Sequence, residues 1–289
     1  MPIMSNVLPH SNLEYESFEL ADAAQPDPPT TDSDRITDPD RRSATPIGDH
    51  GVLSVWYAQA SEGEPGRIER CCQSWLNADE QQRADQYRQP TSRNQHIVGR
   101  GMARKLLGSD AVPPESIRFR LLPHGKPVAE SPVEAKWAFN VAHTSGLVIC
   151  GLTQDDENLV GVDVEHHGRR TDPAIADRFF APAEVEQLNR CADDTAKMAL
   201  FLKIWTLKES FIKAIGTGMQ TPLADFAFLD AATDSPRLEL VDADLGQHRS
   251  WTFYSFAPQP GFIAAAAIGQ VNGQHPVHLS VSNFESQLK

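Results

Sequence analysis

The 289 residues encode an α+β protein, two similar lobes facing each other across a cleft. Short strand-like and helix-like runs alternate along most of the chain, with turn residues between them. The run Ala78–Arg88 is similar to Ala183–Arg190, and a helix ending at Leu107-Gly108 matches one ending at Ile215-Gly216, so one plan is written twice. Two segments, Gly161–Glu165 and Trp205–Ala214, add acids and lysines that would meet if one element packs beside the other.

Residues 1–50 hold seven of the 21 prolines, ten acids against three arginines and no sustained periodicity. Such a stretch buries too little apolar surface to offset its ordering entropy and reads as a disordered acidic tail. The N-terminal lobe is expected over 51–158. Val52–Tyr57 is a strand, and Asp79–Tyr87 and Asn94–Leu107 are helical, the second stopped by Gly108. In Ser116–Leu122, Ile117 and Phe119 alternate against Arg118 and Arg120, as a strand requires. Pro123–Pro127, with His124-Gly125-Lys126 at its centre, is a turn. Trp137–Val141 and Gly146–Thr153 are strands, the second apolar enough to be central.

The C-terminal lobe is expected over 159–275. Val160–Glu165 opens it as a strand, followed by helices at Ala183–Asn189 and Lys197–Ile215, the latter closed by Gly216. Phe226–Phe228, Arg237–Val241, Trp251–Phe256 and Phe262–Ile268 are its closing strands, and 276–289 is left as a tail.

Composition narrows the function. A hydrophobic fraction of 40% and a charged fraction of 22% are ordinary for a soluble globular protein. A net charge of −13 argues against nucleic-acid binding. The tail holds −7 of it, so the remaining −6 leaves room for a local basic cleft. The four cysteines form no CxxC pair, which favours reduced thiols in a cytoplasmic protein over a zinc site or disulfide framework. No basic-then-apolar leader opens the chain, and the longest apolar run, Phe262–Ile268, is too short to span a membrane.

The chemistry sits on two elements. With a strand's period of two, Asp163 and Glu165 share one face while Val162 and Val164 point the other way. On a helix, Glu209 and Lys213 stand at i and i+4, with Lys208 beside them. Hard oxygen ligands beside ammonium groups suit Mg²⁺ holding a polyphosphate, the outline of a phosphoryl-transfer site. Each part has a plainer reading alone. An Asp-x-Glu strand is commonly surface charge, and a Glu209–Lys213 pair is commonly a solvated ion pair. Context favours the site, because apolar neighbours such as Val162, Trp205, Phe211 and Ile212 bury both elements. His166-His167 reads as a polar turn. His143, at a strand-to-turn junction, is either structural or a donor to a phosphate. Lys126 is presented in a turn that Gly125 permits and Pro127 fixes. Arg83, Arg93, Arg100 and Arg104 lie on the N-terminal helices, where arginines are commonly surface charge.

His124-Gly125-Lys126-Pro127, Phe139-Asn140-Val141-Ala142-His143-Thr144, Gly161–Glu165, Arg178-Phe179-Phe180 and Trp205–Gly218 give the chain its resemblance to the Sfp-type 4′-phosphopantetheinyl transferases. The resemblance spans residues 52–268, and Trp205–Gly218 is its most specific part. It implies the fold of that family, two pseudosymmetric lobes with the active site in the cleft between them. It implies transfer of the phosphopantetheine arm of coenzyme A to a serine of an apo acyl or peptidyl carrier protein, releasing 3′,5′-ADP. The enzyme is expected to be a cytoplasmic monomer serving fatty acid, polyketide or nonribosomal peptide synthesis. Asp163, Glu165 and Glu209 match the family's ligands for Mg²⁺, for which Mn²⁺ can stand in. Lys208 and Lys213 match its phosphate-binding lysines, and Lys126, Pro127 and His143 its coenzyme A contacts. Arg83 falls where the family places a cation for the 3′-phosphate. Glu209 and Lys213 are the expected catalytic pair, Glu209 taking the serine proton. The family's usual Ser before the histidine is here Ala142, with the hydroxyl displaced to Thr144. An acidic carrier protein is expected to dock on a positive surface that includes Arg93, Arg100 and Arg104. Two other readings stay open, a pyrophosphohydrolase that cleaves coenzyme A with water and an inactive binding protein. Retention of three acids and two lysines speaks against the second.

Overall fold

The computed structural model describes residues 51–271 and 276–288, so the acidic tail expected over 1–50 lies outside the described residues. Both halves of the chain build the same topology. The first runs β1 (Val52–Gln59), α1 (Arg67–Ser74), α2 (Ala78–Asp85) and α3 (Pro90–Leu107). Two hairpins complete it, β2 (Arg118–Leu121) with β3 (Pro127–Ser131), and β4 (Ala138–Thr144) with β5 (Leu147–Thr153). The second runs β6 (Leu159–His166), α4 (Ala176–Phe179), α5 (Pro182–Asn189) and α6 (Asp194–Ile215). Its hairpins are β7 (Phe226–Leu229) with β8 (Arg237–Leu240), and β9 (Ser250–Phe256) with β10 (Phe262–Gln270). Pairing repeats too. The orders β1-β5-β4 and β6-β10-β9 are antiparallel and correspond strand for strand.

A last strand, β11 (His278–Asn283), breaks the symmetry by pairing in parallel with β1. The tail expected at 276–289 is therefore corrected: it is an edge strand, anchored by the fully buried Phe284. It was hidden because an edge strand with one covered face needs little apolar sequence. Here only Leu279 and Val281 are apolar within the strand, and neither is buried.

Three apolar layers alternate with the two larger sheets. Ile97, Val98 and Met102 of α3 pack on Val148, Cys150 and Leu152 of β5. Phe201, Leu207 and Phe211 of α6 pack on Ala265 and Ala267 of β10 and Phe253 of β9. Between the sheets, Leu53, Val55, Ile149, Val160, Val162, Val164, Ala264 and Ala266 form a shared core. Every second residue of β6 enters that layer, so Gly161, Asp163 and Glu165 face the other way, toward α6. α6 is capped at its N-terminus by Asp193, whose side chain accepts from Ala196 N at 2.8 Å, and at its C-terminus by Gly216 in the left-handed conformation, φ 73°. Among the described residues no helix is long and apolar enough to cross a membrane.

Candidate active site

Gly161 sets the spacing of the site. A Cβ there would lie 1.9 Å from Ser210 O and 2.4 Å from Ala214 N, so only glycine lets α6 rest its backbone on β6. That approach brings Lys213 Nζ to 2.5 Å from Asp163 Oδ1. Asp163 is buried, and its other oxygen, Oδ2, has no hydrogen-bond partner. Burial pushes its carboxyl up in pKa, while the positive charges of Lys213 and Arg169 oppose the shift. Glu209 is pushed up as well, by burial first and by the Asp163 carboxylate next, again opposed by Lys213 and Arg169. Glu165, also buried, is ion-paired through Oε1 with Arg169 Nη1. Three acids and two cations thus form one electrostatic cluster.

Two members of the arrangement were missed in the sequence. Arg169 follows β6 on a turn closed by its own N–H donating to His166 O at 3.0 Å. Its guanidinium lies over Trp205, 5.1 Å from the ring centre. Its four-residue spacing from Glu165 was a legible signal, but outside a helix that spacing says nothing about direction. Asn140 is buried in β4, and its Oδ1 accepts from Val162 N at 2.9 Å. That bond satisfies an N–H on the edge of β6 and fixes β4 against it. His143, at the end of β4, is accessible yet flanked by protein. Its pKa falls to about 4, through desolvation first and then the positive charges of Lys213 and His96, so the ring is neutral at pH 7.

Lys208 is a correction. It is fully buried, its Nζ 2.8 Å from Glu184 Oε2, and it donates to Leu223 O at 2.8 Å and Phe226 O at 2.6 Å. Three acceptors saturate the ammonium, leaving no proton for a phosphate. Successive helical residues are turned by about 100°, so aiming Glu209 and Lys213 at β6 sends Lys208 into the lobe's core. Lys126 Nζ donates to Ala214 O at 2.7 Å and Val160 O at 3.0 Å, tying the β2–β3 turn to the C-terminal end of α6. Burial lowers its pKa to about 7. Pro127 opens β3 beside it. Arg83 is exposed on α2, bonded to Gln86 Oε1 at 3.1 Å and stacked on Tyr87 rather than on the acid cluster.

The docking patch expected from three arginines is also corrected. Arg104 is fully buried and holds Glu80 Oε2 at 2.7 Å, Arg100 takes Glu80 Oε1 at 3.2 Å, and Arg93 pairs with Asp85 at 3.5 Å. Their charge is spent on holding α2 and α3 together.

As the side chains stand, no three acids, histidines or cysteines among the described residues are gathered to hold a metal ion. Asp163 and Glu165 are engaged by Lys213 and Arg169 instead. The donor set still fits a hard divalent cation: carboxylates from two apposed elements, one with an orphaned buried oxygen.

A duplicated α+β fold with acids and cations at one strand–helix contact defines a protein suited to a polyphosphate substrate. The sequence profile described as the 4′-phosphopantetheinyl transferase superfamily matches residues 159–268. The 4′-phosphopantetheinyl transferase HetI of Nostoc sp. is 30% identical over 196 residues, 67% of this chain and 78% of its own. Sfp of Bacillus subtilis, a 4′-phosphopantetheinyl transferase, is 24% identical over 219 residues, 74% of this chain and 91% of its own. The solved holo-[acyl-carrier-protein] synthase of Thermotoga maritima covers 39% of this chain and 62% of its own, at 23% identity and a TM-score of 0.33. The chain belongs to the 4′-phosphopantetheinyl transferase family.

Proposed function

We propose that this enzyme transfers the 4′-phosphopantetheine arm of coenzyme A to a serine of an apo acyl or peptidyl carrier protein. Family membership supports the reaction, and the structural observation that carries it is the Asp163–Lys213 contact beside Glu209 and Glu165. The serine Oγ attacks the phosphorus bearing pantetheine, the bond from that phosphorus to the 3′,5′-ADP oxygen breaks, and the serine proton passes to Glu209. Glu209, which belongs to the same acid cluster as Asp163, accepts that proton directly or through a water. Asp163, Glu165 and Glu209 would hold Mg²⁺, or Mn²⁺ in its place. Bound there, the ion supplies charge neutralisation for the pyrophosphate and the leaving group. Lys213 orients Asp163 and places a positive charge beside the departing 3′,5′-ADP. His143, neutral at pH 7, offers a ring N–H to a phosphate oxygen. Lys126 and Pro127 shape the wall of the coenzyme A site, and Arg83 supplies the outlying cation for the 3′-phosphate.

Mass spectrometry of an apo carrier protein incubated with coenzyme A and Mg²⁺ should show one added phosphopantetheine. Coenzyme A alone should remain intact, and its hydrolysis without carrier would establish the pyrophosphohydrolase reading instead. Asp163→Ala and Glu209→Ala should each lose more than about tenfold in rate, ~1.4 kcal/mol of barrier. A folded variant that keeps more than a tenth of native activity at saturating Mg²⁺ overturns that residue's assignment.

A further inference from the structure

Arg169 occupies a carboxylate that the proposed reaction needs. It pairs with Glu165, which is only 8% exposed and shares a strand face with Asp163. Lys213 pairs with Asp163 from a packed helix, whereas the Arg169 side chain springs from a turn and is 37% exposed. The guanidinium already lies over the Trp205 ring, 5.1 Å from its centre, a contact it can keep without the carboxylate. Meanwhile no three ligands are gathered for a metal among the described residues, and Asp163 Oδ2 is left without a partner. A half-built metal site beside a partly exposed cation has a direct physical reading.

We propose that Arg169 is a displaceable counter-cation, which holds Glu165 in the metal-free enzyme and must give it up, remaining on Trp205, when a divalent ion binds. This rests on the reading of Asp163, Glu165 and Glu209 as metal ligands. Guanidinium and metal compete for the same carboxylate lone pairs. In the metal-free enzyme, Lys213 and Arg169 leave the three acids one negative charge in excess, which keeps the buried cluster tolerable. The consequence is a reduced apparent metal affinity, in proportion to the fraction of time that Glu165 is free. A site open about a tenth of the time binds about tenfold more weakly than one held open. Released from Glu165, Arg169 becomes a positive group on Trp205, at the edge of the acid cluster.

The test is Mn²⁺ binding to the full chain without coenzyme A, followed by electron paramagnetic resonance of the free ion. Arg169→Gln should bind Mn²⁺ about tenfold more tightly than native, and Asp163→Asn more weakly. In a second readout, Mn²⁺ or Mg²⁺ should change the emission of Trp205 in the native chain but not in Arg169→Gln, with Trp205→Phe identifying the signal. Equal or weaker Mn²⁺ binding by a folded Arg169→Gln, with binding lost in Asp163→Asn, overturns the counter-cation and leaves the metal ligands standing. Absence of Mn²⁺ binding in native and Arg169→Gln alike overturns both.

Discussion

At Gly161 the missing side chain is a functional property. A methyl group there meets backbone, 1.9 Å from Ser210 O, and backbone cannot swing aside as a side-chain end can. Gly161→Ala should therefore push α6 off β6, at a cost of about 1–3 kcal/mol or more, and draw Lys213 away from Asp163. Urea unfolding and the transfer rate should both report it. Stability within about 0.5 kcal/mol of native would show that the helix–strand contact can yield to a methyl group. The same scale explains what the sequence made legible. Asp163, Glu165, Glu209 and Lys213 could be read because strand period and helix period each fix a face. Lys208 could not be placed by those rules alone, since its partner Glu184 lies on a different helix. Arg93, Arg100 and Arg104 misled for the same reason: their counter-charges, Glu80 and Asp85, belong to α2 and are fixed only by packing.

At the level of elements, α6 shows how one helix serves a core and a site at once. Its interior face carries the Lys208–Glu184 pair, with both side chains wholly buried. Glu184 also accepts from Phe228 N at 2.9 Å and Ala181 N at 3.1 Å, so the pair joins α5, α6 and β7. Burial lowers the Lys208 pKa to about 8 and raises that of Glu184, each countered by the partner's charge. Lys208→Ala should destabilise the protein by about 3–5 kcal/mol, because it strands a buried carboxylate, and the double change Lys208→Met with Glu184→Leu should recover much of that loss. In the refolded double variant, the Michaelis constant for coenzyme A should stay near native. A large rise there, with stability restored, would return Lys208 to phosphate binding. The long strands and helices were legible because their periodicity is sustained. α1 was not, because it has no side-chain N-cap; Glu69 reaches back instead to Gly66 N at 2.8 Å and Ser61 N at 2.7 Å. β3 was hidden inside a segment whose glycine and prolines announce only a turn.

For the whole molecule, the duplication was legible because each half repeats a helix pair with a glycine stop. The mode of closure was not, since it depends on β11 returning to β1 from the far end of the chain. That return bears on residues 1–50. With β11 on one side and β5 on the other, β1 offers no free edge to a preceding segment. Near the two ends of the described residues, Leu53 and Phe284 are each fully buried in apolar layers built from described residues. Deleting residues 1–50 should thus move the melting midpoint by less than about 2 °C, on the order of 0.5 kcal/mol. Phosphopantetheine transfer to an isolated carrier protein should remain within about twofold of native at physiological salt, where the Debye length of about 8 Å screens distant charge. At low salt, removing −7 of the −13 net charge should if anything speed association with an acidic carrier, because long-range repulsion falls. A truncated chain that melts many degrees lower, or turns over carrier protein tenfold more slowly, would make residues 1–50 part of the working enzyme rather than an appendage to it.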